Sequence, residues 1–310
     1  TRILPRRGIW VNRDEILITL GTQNALYLLA ELLIGREDAV GIEDPGYPDA
    51  RNILALKTHN LHPLPVDDHG VVVGDCLRAY DYIFVTPSHQ SPTTATLPID
   101  RREALLRMAA ESGYVIIEDD YESEITFDGA PTPALKSLDH DGRVLYLGSL
   151  SKTLDPGLRM GFLVGSPEII REARALRRLM LRHPPANNQH AVALFLALGH
   201  HDALIQRMIP EYRERWKAMG EALERHLPTA TPFPCTGGSS YWVKGPSALD
   251  AHKLAQEAAA EGIFIEPGDV NFFSPRPPLE YFRLGFSAIA LERIKPGIEK
   301  LSRIVHRLLD

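Results

Sequence analysis

The stretch Tyr146–Gly165, YLGSLSKTLDPGLRMGFLVG, decides how the rest of the chain is read. Val144-Leu145-Tyr146-Leu147 leads into it as a short buried strand, and Met160-Gly161-Phe162-Leu163-Val164 closes it as another. Between them lie Ser149, Ser151, Lys152, Asp155, Pro156, Gly157 and Arg159. A turn between buried strands needs glycine, proline and a polar residue or two. Two hydroxyls, an amine and a guanidinium exceed that need, so this turn carries chemistry.

Working outward, strand-like runs occur at Ile16–Thr19, Ala39–Glu43, Leu61–Val66, Tyr82–Thr86, Tyr114–Glu118 and Arg143–Gly148. Helical spacing of apolar residues fills GTQNALYLLAELLIG up to Gly35 and recurs over Arg101–Ser112. Strands alternating with helices in this way predict a mostly parallel sheet covered on both faces. From Pro167 the texture changes to helices over Glu168–Leu181, Gln189–Leu198 and Ala203–His226, with a break expected at Pro210. The breaker-rich PTATPFPCTGG (Pro228–Gly238) then leads to a strand (Ser239–Val243), a helix (Ala248–Gly262), two short strands and a closing helix from Ala290. The expected division is a large α/β domain over 1–227 and a small α+β domain over 228–310.

Composition narrows the function classes. Of the 310 residues, 44% are hydrophobic and 24% charged, the balance of a globular protein with a core. A net charge of −6 lacks the basic footprint of a nucleic-acid-binding unit. Two cysteines, Cys76 and Cys235, do not make a disulfide framework, and no apolar run has the length of a membrane span. The chain also begins without a signal-peptide pattern, so a cytoplasmic location is the expectation.

In open α/β sheets, ligands bind beyond the carboxyl ends of the strands, where the polar clusters of this sequence fall. Gly21-Thr22-Gln23 follows a strand and opens a helix; its backbone N–H groups suit a phosphate, or merely a capped helix start. Glu118-Asp119-Asp120-Tyr121 ends a strand. Consecutive carboxylates there suit a metal, a solvated turn, or the holding of a proton on a pyridine-type nitrogen, with Tyr121 donating to a phenolate oxygen; no nearby histidine completes a transition-metal set. Lys152, beside Ser149 and Ser151 and followed by Arg159, is suited to a Schiff base with a carbonyl cofactor whose phosphate the hydroxyls and guanidinium would hold. The other seven lysines (Lys57, Lys136, Lys217, Lys244, Lys253, Lys295 and Lys300) read as surface residues.

In order along the chain, GTQNAL, DPGYP, EDDY and SLSK with an arginine seven residues beyond the lysine resemble the fold type I aminotransferases, over nearly the whole length. TPSHQSPT, EDDYESE and SLSKTLDPGLRMGF are most similar to the aminotransferase-like domain of MocR/GabR-type transcription regulators. The resemblance implies the pyridoxal-phosphate-dependent transferase fold of type I, with a mostly parallel seven-stranded sheet, helices on both faces and a smaller C-terminal α+β domain. It also implies pyridoxal 5'-phosphate on Lys152, with Asp119 at the pyridine nitrogen, Tyr121 at the ring oxygen and Tyr47 stacked on the ring. Gly21, Thr22, Gln23, Ser149 and Arg159 would hold the phosphate, and Arg283 in YFRLGFS would receive an amino-acid carboxylate. A homodimer is implied as well, as is an amino acid or related amine as ligand, with DNA reached only through a winged-helix domain outside this chain.

Two departures stand out. Where ordinary aminotransferases carry an Asn-Pro-x-Gly turn, this chain has Ser91-Pro92-Thr93-Thr94, without the Asn or the Gly. The chain begins at TRILPRRGIW, inside the usual domain, so the N-terminal arm is expected to be missing. Two functions follow. One is an effector-sensing domain in which the cofactor condenses with an amino acid; the other is an ordinary aminotransferase. A scaffold that has lost its cofactor is disfavoured by Lys152, Asp119 and Arg159 together. His200-His201 reads as a polar corner between helices, and Arg171-Arg174-Arg177-Arg178-Arg182 as a solvated helix face beside Glu168 and Glu172. His89-Gln90 reads equally as a contact to the site or a turn. Arg283 has a structural alternative, pairing with Glu280 or Glu292.

Overall fold

A computed structural model describes residues 2–127, 131–233 and 236–310. Cys235 and part of the Pro228–Gly238 breaker stretch lie outside them.

The first half alternates strand and helix: β1 (Ile16–Thr19), α1 (Gly21–Leu33), β2 (Val40–Asp44), α2 (Pro48–Ala55), β3 (Leu61–Asp67), β4 (Gly70–Val71), β5 (Tyr82–Val85), α3 (Ile99–Ser112), β6 (Val115–Asp120), α4 (Leu135–Leu138), β7 (Val144–Ser149) and β8 (Gly161–Val164). They build one eight-stranded sheet in the order β1-β8-β7-β6-β5-β2-β3-β4. Pairing is parallel from β7 through β6, β5 and β2 to β3, and antiparallel where β8 meets β7 and β1 and where β4 meets β3. Seven of these strands are those expected; the eighth, β4, is a two-residue edge strand that doubles back from β3.

Alternation along each strand sends neighbouring side chains to opposite faces, and both faces are dry. Ile117 joins Leu147 and Leu163 beneath Leu26 and Leu29 of α1, Leu54 of α2 and Ile170 of α5 (Pro167–Leu181). Ile116, the residue before it, joins Ile83, Val85 and Val144 beneath Leu105 and Ala109 of α3. That two-sided burial is why β5, β6 and β7 read as continuous apolar runs.

α6 (Ala186–Ala197) and α7 (His200–His226) follow, then β9 (Thr231–Pro232), β10 (Ser240–Lys244), α8 (Ala251–Ala260), β11 (Glu266–Pro267), β12 (Tyr281–Gly285) and α9 (Leu291–Leu309). The second sheet is antiparallel, in the order β11-β12-β10-β9. Its core, with Val243, Phe282 and Phe286, takes in Ile294, Ile298 and Leu301 from one stripe of α9 and also Met219, Ala222 and Leu223 of α7. The last turns of α7 therefore pack with the smaller sheet. α7 also runs unbroken through Pro210, contrary to the expected break. The missing proline N–H leaves the Gln206 carbonyl without its helical donor, and both residues are exposed, so no buried polar group is stranded there.

Two glycines set how closely the layers approach. A Cβ on Gly148 would fall 2.2 Å from the Phe162 ring, and one on Gly161 would fall 2.7 Å from the Gly21 carbonyl carbon. The second contact brings the start of α1 against the β7–β8 pair.

Candidate functional site

The ten residues that the resemblance assigns to the cofactor and its ligand all line one cavity of about 460 Å³. Its floor is the carboxyl edge of the large sheet. Gly21, Thr22 and Gln23 follow β1, Tyr47 follows β2, Asp119 and Tyr121 come from the end of β6, and Ser149 and Lys152 from the end of β7. β8 runs the other way, so Arg159 just before it reaches the same edge. Arg283 of β12 faces the cavity from the smaller sheet.

One end of the cavity is built for an anion. α1 starts at Gly21 with no side-chain cap, which leaves its first N–H groups free of a capping side chain. Gly21 has φ +81°, and a Cβ there would stand 3.2 Å from Arg159 Nη2, so only glycine suits both the turn and the guanidinium. Ser149 Oγ accepts from the Ser151 N–H at 3.1 Å, and the Ser151 hydroxyl is buried without a partner.

Alternation splits the carboxylate run at the end of β6. Glu118 accepts from the Leu135 and Lys136 N–H groups at 2.9 Å each. Asp120 accepts from Arg7 Nε at 2.8 Å and from the Tyr146 hydroxyl at 2.7 Å. Asp119, between them, turns into the cavity, where its Oδ1 is buried without a partner. Burial, with the Asp120 charge second, pushes its carboxyl up to about 8, against the Thr22 hydroxyl and the Lys152 ammonium. The run is thus not a solvated turn, and no group of three metal-ligating residues occurs among the described residues. Tyr121 beside it is held well above its usual range, by burial first and then by the Glu122 charge.

Lys152 is half exposed, with Nζ 3.8 Å from Glu122 Oε1 and 5.9 Å from the Tyr121 ring centre. Tyr47 donates to Asp49 Oδ2 at 3.1 Å, and Gln23 Nε2 donates to the same oxygen at 2.9 Å. Arg283 pairs with Glu266 at 2.8 Å and donates from Nε to Ser240 at 2.8 Å, not with Glu280 or Glu292. The cause is register: Glu266 of β11 lies directly across from Arg283.

The turn Ser91-Pro92-Thr93-Thr94 borders the cavity through Ser91 and Pro92. Thr94, where the usual pattern has glycine, has φ +62°, so the left-handed backbone persists with a β-branched residue in it. Gln90 serves that turn: its Nε2 donates to the Pro45 and Ser91 carbonyls and its Oε1 accepts from Thr93. His89 is buried beside Arg7 and Ser88 on a separate cavity. Neither residue lines the main site. His201 sits at the start of α7, 3.3 Å from Glu124, as a corner residue. Along α5, Arg171 is exposed, while Arg174 and Arg177 donate to the carbonyls of Ile16 and Ile18, tying that face to β1.

A mixed sheet of this order, with a polar cavity at its carboxyl edge closed by a small antiparallel sheet, defines a fold type I aminotransferase-like α/β protein. The aminotransferase class I and II family matches residues 5–301, and the chain belongs to it. It is 44% identical over 301 residues to the HTH-type transcriptional regulator TauR of Rhodobacter capsulatus, covering 97% of this chain and 62% of TauR. It is 32% identical over 311 residues to the 2-aminoadipate transaminase of Thermus thermophilus, covering 97% of this chain and 78% of that enzyme. Among solved structures, it superposes on LysN, the α-aminoadipate aminotransferase of Thermus thermophilus, with a TM-score of 0.91 at 30% identity, covering 99% of this chain and 82% of LysN. That LysN structure is a complex with N-(5'-phosphopyridoxyl)-L-leucine. The chain spans about three fifths of the length of the regulators it matches.

Sequence reasoning missed Glu122, Ser240, Glu266 and Asn271. Glu122 was visible one position after Tyr121, but nothing local marks it as buried. The other three come from the smaller sheet and its loops, whose approach to the cavity no local pattern encodes.

Proposed function

We propose that this chain is the effector-sensing, aminotransferase-like part of a MocR/GabR-type regulator, which holds pyridoxal 5'-phosphate on Lys152 and condenses it with an amino acid or related amine. The observation that carries the regulator reading is the 44% identity to TauR across 97% of the chain, against 32% to the transaminase. The second reading, an amino-acid aminotransferase, is favoured by the superposition on LysN and uses the same residues.

The residues present fit the cofactor. The unpartnered, buried Asp119 oxygen needs a cationic N–H donor, which a protonated pyridine nitrogen provides. The uncapped start of α1, with Arg159 and Ser149 beside it, fits a phosphate dianion. Tyr47 supplies an aromatic face and Tyr121 a hydroxyl kept protonated by burial, ready to donate to the ring oxygen. When bound, the cofactor supplies the electron sink that weakens bonds at the ligand Cα. Lys152, once free, stands within the cavity as the base that moves a proton at Cα. Arg283 presents a guanidinium fork to the ligand carboxylate. In the regulator reading the part acts as a homodimer, and a net charge of −6 leaves duplex contacts to a separate winged-helix unit.

The test is chemical. Protein incubated with pyridoxal phosphate and reduced with borohydride is digested, and the cofactor mass is located by sequencing mass spectrometry. The expected outcome is one labelled peptide, carrying the mass on Lys152. Label on another lysine, or none after saturation, removes Lys152 from the site. A ligand amine that displaces the lysine without releasing an oxo acid favours the sensor; steady oxo-acid production favours the enzyme.

A further inference from the structure

Lys152 stands where two cavities meet. With Glu266 and Arg283, it lines both the cavity described above and a second, of about 660 Å³, between α7 and the smaller sheet. Glu122 lines only the second. Its side chain is 2% exposed, and its Oε1 lies 3.8 Å from Lys152 Nζ. The same oxygen accepts from the Ser239 hydroxyl at 2.6 Å. Ser239 immediately precedes β10, and its carbonyl accepts from the N–H of Phe286, a residue of the smaller core.

A carboxylate buried this far is costly without a compensating charge. Among the described residues Lys152 is the cation within 4.0 Å of Glu122, Arg283 acts on that carboxylate from farther away, and neither Asp119 nor Glu266 pairs with Lys152 within 4.0 Å. The Tyr121 ring, 5.9 Å from Nζ, adds an attraction for the cation. We propose that Glu122 is the docking carboxylate for the free amine of Lys152, a positioning residue that holds the lysine on the α7 side of the site whenever it is not bonded to cofactor. Lys152 then has two stations, and one of them is hydrogen-bonded through Ser239 to the smaller sheet. Occupation of that station is thereby communicated to a second structural layer, as a ligand sensor requires. The functional meaning rests on Lys152 as the cofactor lysine; the pairing itself does not.

The experiment uses cofactor-free full chain. It is treated with trace acetic anhydride at neutral pH, and acetylation of Lys152 is measured by mass spectrometry relative to exposed Lys253. An ammonium held by a carboxylate acylates slowly, so Glu122→Gln should raise the Lys152:Lys253 ratio about fivefold. Glu122→Asp, which keeps the charge, should restore most of the wild-type ratio, an outcome a purely packing role would not give. Ser239→Ala should move the ratio the same way as Glu122→Gln, by less, and serves if the glutamine variant does not fold. An unchanged ratio in folded Glu122→Gln, or an aspartate variant no different from the glutamine one, overturns the proposal. Failure of the borohydride experiment would remove the cofactor from Lys152 and leave this ratio as it is.

Discussion

Asp119→Asn should stabilise the cofactor-free protein and weaken its hold on the cofactor. The wild-type carboxyl is raised from its ordinary 3.8 to about 8, by burial first and the Asp120 charge second. For an acid whose folded value is raised, the native state carries no penalty below the unfolded value. The penalty grows as pH rises from about 4 and is complete above about 8. A shift of about four units at about 1.4 kcal/mol each sets a ceiling of about 6 kcal/mol. Asp119 borders an open cavity with Lys152 nearby, so that figure is an upper bound on the gain at pH 8. Glu43 and Glu118, both also raised by burial, are present in both proteins and cancel in the comparison.

The assay is thermal unfolding of cofactor-free wild type and Asp119→Asn at pH 5, 6.5 and 8. The variant should be favoured at each pH, least at pH 5 and about threefold more at pH 8, because the penalty accumulates between about pH 4 and pH 8. Saturating pyridoxal phosphate should then reverse the order, because the protonated ring nitrogen gives the wild-type carboxylate its partner and gives the amide none. A pH-independent difference, or a wild type more stable at pH 8 without cofactor, would refute the reading of Asp119 as a carboxyl awaiting a cation.

Arg283→Lys should weaken binding of an amino acid to the cofactor-loaded protein about tenfold, since ammonium cannot reproduce the bidentate fork. The decarboxylated analogue should be almost indifferent to the change, and equal loss for both in spectrophotometric titrations would make Arg283 structural. Gly161→Ala should lower the unfolding midpoint and the affinity for pyridoxal phosphate together, because its Cβ would fall 2.7 Å from Gly21 and 2.8 Å from the Gly148 carbonyl. A cost of about 1–3 kcal/mol is expected from such overpacking, and cofactor affinity that stays intact in a destabilised variant would separate Gly161 from the phosphate end.

Much of this was legible in the sequence because strand periodicity fixes which way a side chain points. Once YVIIE was read as a strand ending at Glu118, the polar turn after it and the one after VLYLGS had to share an edge, and Asp119, Tyr121, Ser149 and Lys152 do. What stayed hidden depends on contacts across the chain. Arg7 lies 113 residues from Asp120, and only the fold makes it a buried partner. The Glu266–Arg283 pair is a matter of strand register, which the spacing of acidic residues around YFRLGFS cannot supply. Pro210 misled because helix breaking was judged locally, whereas the apolar residues of α7 beyond it are held by the smaller core.

The paired aspartates show why the neighbours of a site matter as much as its lining. Asp120 is itself buried, which pushes its carboxyl up, but the Arg7 guanidinium and hydrogen bonds from Ser88 and Tyr146 outweigh this and hold it below the usual range. It is therefore a fixed negative charge one residue from Asp119, on the opposite face of β6. That charge raises Asp119, and the same charge favours any cation that Asp119 holds. Arg7 neutralises Asp120 from the far side, so the fold tolerates the pair without an ion pair to Asp119. Asp119 Oδ1 is left without a hydrogen-bond partner, and a ligand that brings a positive nitrogen there, as the proposed cofactor does, would supply one.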